Sequence, residues 1–150
     1  MKRAGYKLEF QHASAAESAH ALCDRLSAGT GWREKTDVIA NAVCVKRDTP
    51  LGTDDFDEES FEDGETLFQR LCLAVAGQHA DAAFEGVCHF EDADAGVKLR
   101  ITVSHVPELL RFRIRRTTPE RIQLWRLDWD RRADGALEKS EYASYREKGR

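Results

Sequence analysis

Long hydrophobic runs are missing from this chain, and their absence excludes one broad class of protein. No apolar stretch approaches the roughly 20 residues that a membrane-spanning helix requires. Residues 1–6 contain no apolar signal region and lead directly into a strand pattern. We therefore expect a soluble, cytoplasmic protein without membrane contact. Its 150 residues suit a single domain, residues 1–150, with a sizeable core.

Motifs that mark common enzyme classes are also absent. The five histidines show no HExxH spacing, and the chain has neither a glycine-rich phosphate loop nor a GxSxG motif. The four cysteines form no CxxC pair and lie within apolar patterns, so we interpret them as reduced thiols of the core. We expect no catalytic residues and no cofactor, with an uncharacterised enzyme as an alternative hypothesis.

Positive charge is missing from one long segment. Residues 48–65 are rich in carboxylates and contain no Lys, Arg or His. Repulsion between like charges favours an extended chain, so this segment predicts a mobile acidic loop at the surface. The net charge of −4 argues against a general nucleic-acid binder.

The chain does contain a clear series of strand and helix patterns. Consecutive strands are predicted at residues 97–105, 109–116 and 122–129, because apolar and polar residues alternate there. Upstream, strands are predicted at 6–10, 36–45 and 83–91, with amphipathic helices beginning near residues 14 and 63. These elements predict an α+β fold with a mainly antiparallel sheet of about five or six strands and two helices packed on one face. The expected order is β-α-β-(acidic loop)-α-β-β-β-β.

One hairpin of this sheet is predicted in register. The four-residue connection 93–96 places Phe90 opposite Leu99 and Glu91 opposite Lys98. The first pair joins two core side chains, and the second joins opposite charges.

Basic side chains dominate the polar face of the same strands. If the apolar faces of the strands coincide, five cations lie together: Lys98, Arg100, Arg111, Arg113 and Arg115. Like charges opposed across a sheet are destabilising, so we expect an anionic group nearby. Three interpretations remain open: solvated arginines helped by neighbouring carboxylates, docking of the acidic segment, or an acidic partner.

A second candidate site is the loop at residues 130–141. It resembles an EF-hand calcium loop, with Asp130, Asp134 and Glu141 at the first, fifth and twelfth positions, and with Gly135 at the sixth. The resemblance implies calcium binding, with Glu138 at the ninth position, and helices on both sides of the loop.

The same loop also fits a different structure. Arg132 occupies the third position, where the EF-hand family has an oxygen ligand. Asp134-Gly135 is a frequent hairpin turn, which favours continuation of the strands through Trp129. The apolar pattern changes phase between Leu124 and Trp125, which predicts a bulge at that point if the segment is a strand.

The sequence therefore leads to a functional expectation of limited detail. We expect a small, non-enzymatic protein of bacterial type that binds another protein, for example as an inhibitor or immunity protein. Calcium binding through the loop at 130–141 is the alternative hypothesis.

Overall fold

The computed structural model describes residues 2–26, 36–39, 42–45, 49–50 and 67–146, with side chains at 5–25 and 68–140. Two helices and nine strands lie within these ranges. In chain order they are β1 (Lys2–Phe10), α1 (Ala13–Leu26), β2 (Thr36–Ile39), β3 (Ala42–Val45), β4 (Thr49–Pro50), α2 (Leu67–Gln78), β5 (Phe84–Asp92), β6 (Val97–Val106), β7 (Leu109–Thr117), β8 (Ile122–Arg131) and β9 (Leu137–Arg146).

All of the described strands belong to one antiparallel sheet, which confirms the predicted α+β fold class. The strand order is β2-β3-β1-β5-β6-β7-β8-β9, and β4 pairs with β1 beside β3. The second half of the chain is therefore a meander, because each strand from β5 to β8 pairs with the next one along the chain. The predicted hairpin is confirmed in register, with Phe90 opposite Leu99 and Glu91 opposite Lys98.

The sheet contains more strands than the sequence predicts. The single strand expected at residues 36–45 consists of β2 and β3, which pair with each other antiparallel. β3 in turn runs antiparallel to β1, so these two strands do not form a parallel β-α-β unit with α1. β4 contributes the two-residue strand Thr49–Pro50, and the rest of the predicted acidic loop lies outside the described residues.

The core lies between the sheet and the two helices. Phe68 of α2 connects distant strands, since its ring centroid lies 5.9 Å from that of Tyr6 in β1 and 6.4 Å from that of Phe112 in β7. Cys23 of α1 and Cys72 of α2 are buried in the same cluster as free thiols. Burial raises the pKa of the Cys23 thiol to about 12, so it stays protonated and unreactive at neutral pH. The prediction of core thiols is confirmed for the cysteines whose side chains are described.

One glycine allows β1 and β5 to lie close together. Gly86 lies opposite Leu8 in the register of these strands. A Cβ atom built on Gly86 would lie 2.3 Å from the carbonyl oxygen of Lys7 and 2.7 Å from a methyl group of Leu8. Any larger residue would therefore push the two strands apart.

The C-terminal segment is a β-hairpin. β8 and β9 pair with Asp130 opposite Glu138, and their register shifts between Asp128 and Trp129. The bulge predicted between Leu124 and Trp125 is wrong, because the alternation continues there: Trp125 is buried and Leu124 lies on the other face. The extra residue at the register shift is Ser140 of β9. The helices implied by the EF-hand resemblance are wrong, because both flanking segments are strands.

Hydrogen bonds of Arg131 connect this hairpin to the rest of the fold. Its guanidinium donates hydrogen bonds to the carbonyl oxygens of Pro107 at 2.6 Å, Gly135 at 2.7 Å and Ala76 at 3.1 Å. A fourth contact, 3.1 Å long, joins Arg131 to Nε2 of the buried His105. The C-terminal turn, the β6–β7 turn and the end of α2 are therefore connected by one side chain. No helix within the described ranges has the length and apolar character to cross a membrane.

Candidate binding face

The sheet has one face that neither described helix covers. Alternation along the strands places a set of polar side chains on this side, which we call the charged face. Residues directly opposite each other in an antiparallel sheet share a face, so the register defines its members. On β1 and β5 to β8 they include Lys7, Glu9, Glu85, Val87, His89, Glu91, Lys98, Arg100, Thr102, Ser104, Arg111, Arg113, Arg115, Leu124, Arg126 and Asp128.

The five predicted cations do share this face. Arg100 in β6 lies directly opposite Arg115 in β7, and Lys98 lies opposite Thr117. Arg113 lies opposite Thr102, whose hydroxyl contacts the carbonyl oxygen of Arg113 at 3.5 Å. The register therefore places Lys98, Arg100, Arg113 and Arg115 in one region of the charged face.

Arg111 has a buried anionic partner. Its Nε and one terminal nitrogen donate to the two carboxylate oxygens of Asp128 in β8, at 2.9 and 3.1 Å. Asp128 is only 4% exposed, and Nε of Arg126 lies 3.5 Å from its second oxygen. A paired fork of this kind fixes both side chains. Arg111 is therefore a structural residue at the border of the cationic region, not its centre.

On β1 and β5 to β8, like charges are opposed across neighbouring strands at three places on the charged face. Two pairs are cationic, Arg100–Arg115 and Arg113–Arg126. The third pair is anionic, Glu9 of β1 opposite Glu85 of β5. Such pairs destabilise a sheet compared with opposite-charge pairs. Their occurrence on one face favours a role in recognition over a role in folding.

These anionic and cationic pairs lie on different strands. The anionic pair lies on β1 and β5, and the two cationic pairs lie on β6, β7 and β8. Lys7 partly neutralises the anionic side, because its Nζ lies 2.6 Å from a carboxylate oxygen of Glu9. Both side chains of that ion pair are about half exposed, so it contributes little to stability.

An open basin of about 540 Å³ lies between the anionic and cationic sides. Its floor is formed by short side chains, Val87, Thr102 and Ser104, and its rim carries Glu9, Glu85, Lys7, Arg100, Arg111 and Arg113. The depression exists because the residues between the two sides are small while those around it are long. This volume lies in the range of ligand sites in proteins.

The predicted calcium ligands are arranged differently. Asp134 accepts a hydrogen bond from the Ala136 amide at 3.0 Å, and its other carboxylate oxygen lies 3.3 Å from Arg132. The guanidinium of Arg132 also lies 3.8 Å from Glu138. Arg132 therefore occupies the position between two carboxylates that a cation would need. Asp130 lies opposite Glu138, while the side chain of Glu141 is outside the described part. Among the described side chains, no group of three His, Cys, Asp or Glu residues is arranged to hold a metal ion.

Sequence reasoning missed three members of the charged face. Lys7 and Glu9 join it only because β1 inserts between β3 and β5, a long-range pairing that no local pattern indicates. Arg126 joins it because β8 keeps a regular alternation past Trp125, where the sequence pattern favours a bulge. The alternation of Lys7 and Glu9 with Leu8 was the available signal that both point away from the core.

Comparison with known proteins adds no assignment. No protein-family model, curated protein or solved structure matches the chain.

Proposed function

We propose that this chain is a non-enzymatic binding protein that captures an acidic surface of another protein on its charged face. The observation that carries the proposal is the opposition of Arg100 to Arg115 and of Arg113 to Arg126 across neighbouring strands. An anionic group placed over these pairs would turn two repulsive contacts into attractive ones. Arginine suits this role because its planar guanidinium binds carboxylates in a paired geometry.

Exposure supports an external partner. Arg100 and Arg113 are exposed, and neither has a carboxylate within ion-pair distance among the described residues. Arg111, in contrast, is held by the buried Asp128. The fold thus fixes the edge of the cationic region and leaves its centre accessible.

A protein partner is favoured over a nucleic acid by the side chains of the face. Single-stranded nucleic acid is bound by stacking of bases on aromatic rings. The described side chains of the charged face include no Phe, Tyr or Trp. The net charge of −4 also opposes non-specific attraction of a polyanion.

Binding of a labelled poly-glutamate peptide tests the proposal. We expect the peptide to bind the full chain measurably in about 50 mM salt and several-fold more weakly in about 300 mM salt, where the Debye length is shorter. The double variant Arg100→Gln, Arg113→Gln should bind about tenfold more weakly, a loss of about 1.4 kcal/mol. Fluorescence anisotropy gives both quantities.

The matched control is the double variant Arg25→Gln, Arg70→Gln. These two arginines are exposed on α1 and α2, on the other side of the sheet, and the variant loses the same two positive charges. Equal weakening in both variants would show that only net charge matters and would contradict the proposal. Tighter binding of a labelled single-stranded oligonucleotide than of poly-glutamate would replace the protein partner with a nucleic acid.

A further inference from the structure

The basin of the charged face has sides of opposite sign, a feature that a purely acidic partner would not use. Glu9 and Glu85 form one side, and Arg100 and Arg113 form the other. Thr102 and Ser104 lie between them as neutral hydrogen-bonding groups. A ligand in the basin therefore meets an anionic surface at one end and a cationic surface at the other.

The separation of the two sides is set by the sheet. Glu85 lies on β5 and Arg113 lies on β7, with β6 between them. Glu85 lies opposite Ser104 of β6, whereas Arg113 lies opposite Thr102, so the two positions differ by two strands and by two residues along the strands. With about 4.8 Å between strands and about 3.4 Å per residue, their backbones are roughly 12 Å apart, which leaves room for an interposed group.

The charges on both sides are accessible. Glu85 and Arg113 are exposed, and within the described part of the chain neither forms an ion pair. Glu9 has Lys7 as a neighbour, but this leaves Glu85 opposite it without a cation. The anionic side thus carries two carboxylates, Glu9 and Glu85, and one lysine, Lys7.

We infer that the partner presents charges of both signs to the basin: a cationic side chain for Glu9 and Glu85, and an acidic side chain for Arg100 and Arg113. This inference rests on the proposed function and specifies the chemistry of the partner surface. The two partner charges lie about 12 Å apart, the length of three to four residues of extended chain. The arrangement gives binding a direction, because the reversed orientation places like charges together at both ends.

Three capped hexapeptides test the inference on the full chain. The bipolar peptide carries two lysines, two glycines and two glutamates in that order, so its nearest opposite charges are three residues apart. The alternating peptide, Lys-Glu-Gly-Gly-Lys-Glu, has the same composition without segregated charge. The acidic peptide carries glutamate in place of both lysines. We expect the bipolar peptide to bind several-fold more tightly than either of the others by fluorescence anisotropy in low salt.

Removal of the two carboxylates of the anionic side should change the affinities of the bipolar peptide and the acidic peptide in opposite directions. In the variant Glu9→Gln, Glu85→Gln, the bipolar peptide should bind about tenfold more weakly, while the acidic peptide should bind more tightly. Glutamine keeps the size of both exposed side chains, so folding should be unaffected. The matched control Glu17→Gln, Glu120→Gln changes exposed carboxylates on α1 and in the β7–β8 turn and should leave the preference for the bipolar peptide intact.

The results separate this inference from the function on which it rests. Equal affinity for the bipolar and alternating peptides, or a bipolar affinity unchanged by Glu9→Gln, Glu85→Gln, would overturn the two-sign partner. If the acidic peptide still depended on Arg100 and Arg113 in that case, capture of an acidic surface would stand. Loss of that dependence would contradict the proposed function itself.

Discussion

The two faces of the same strands follow different rules. On the face that packs against the helices, both side chains of a cross-strand pair are apolar and buried, as in Ile101–Ile114 and Phe112–Leu127. On the charged face, several neighbours are matched in sign, which opposes stability. One side of the sheet therefore holds the fold together, and the other carries like charges on neighbouring strands that do not contribute to stability. Adjacent residues in one strand therefore have separate roles, because they lie on opposite faces of the sheet.

The sharpest test of this division uses two successive residues of β7. Phe112 is fully buried and contacts Phe68 and Trp129, so Phe112→Ala should lower the free energy of unfolding by about 3–5 kcal/mol. Arg113 lies on the charged face opposite Arg126, so Arg113→Gln should change it by less than about 0.5 kcal/mol, or raise it slightly. Urea denaturation of both variants measures the difference.

A large loss of stability in Arg113→Gln would contradict this division between the two faces, because it would show that Arg113 stabilises the fold. Arg111→Gln is the instructive third variant. Its guanidinium is paired with the buried Asp128, so its loss should be more destabilising than that of Arg113.

Two glycines provide the next test, with effects of opposite sign. Gly86→Ala places a Cβ atom against the backbone of β1 and should destabilise the protein by about 1–3 kcal/mol. Gly77 lies in α2, and apart from its chain neighbours and the backbone of its own helix no atom lies within 4 Å of a Cβ built there, so Gly77→Ala should stabilise the protein by about 0.5–1 kcal/mol. Thermal unfolding of the two variants checks both signs, and a neutral Gly86→Ala would show that β1 and β5 separate easily.

The parts of the fold that the sequence predicts are the local ones. The β5–β6 hairpin is predictable in register because a four-residue connection leaves one pairing that joins Phe90 with Leu99 and Glu91 with Lys98. The insertion of β1 between β3 and β5 is not predictable in this way, since its partners are distant in the chain and many strands could pair with an alternating run. The cationic half of the charged face lies on the meander and is visible in the sequence. Its anionic half depends on β1 and is not.

The loop at residues 130–141 shows that a short sequence motif can fit two different structures. A carboxylate followed by glycine fits both a calcium loop and a hairpin turn, because both require a backbone that bends sharply at Gly135. Gly135 has a φ of 89°, which glycine adopts without strain. The pairing of β8 with β9 decides for the hairpin, and Arg132 takes the position between Asp134 and Glu138. The cation inside the motif was the sequence signal in favour of this outcome.

The smallest expected effect concerns His105, a titratable group on the helix-covered face. His105 is 1% exposed, and its Nδ1 lies 2.7 Å from the carbonyl oxygen of Ala82 while Nε2 faces Arg131. Nδ1 therefore donates its hydrogen to Ala82 and Nε2 accepts from Arg131, which defines a neutral imidazole. Burial lowers the pKa of His105 below the ordinary 6.5, and Arg131 lowers it further, while the Ala82 carbonyl and Glu108 oppose the change.

The sign of the pH dependence follows from this lowered pKa. Below pH 6.5, His105 of the unfolded chain takes up a proton that the folded protein excludes, so the free energy of unfolding falls as the pH decreases from about 7 towards 5. His105→Gln should make this decline shallower, whereas His12→Gln, at an exposed position before α1, should not alter it. Urea denaturation at several pH values measures the slopes, and an NMR titration of the native imidazole provides an independent reading. A titration midpoint of His105 in the folded protein at or above pH 6.5 would show that the imidazole takes up a proton beside Arg131. The assignment of a neutral His105 in contact with the C-terminal hairpin would then be wrong.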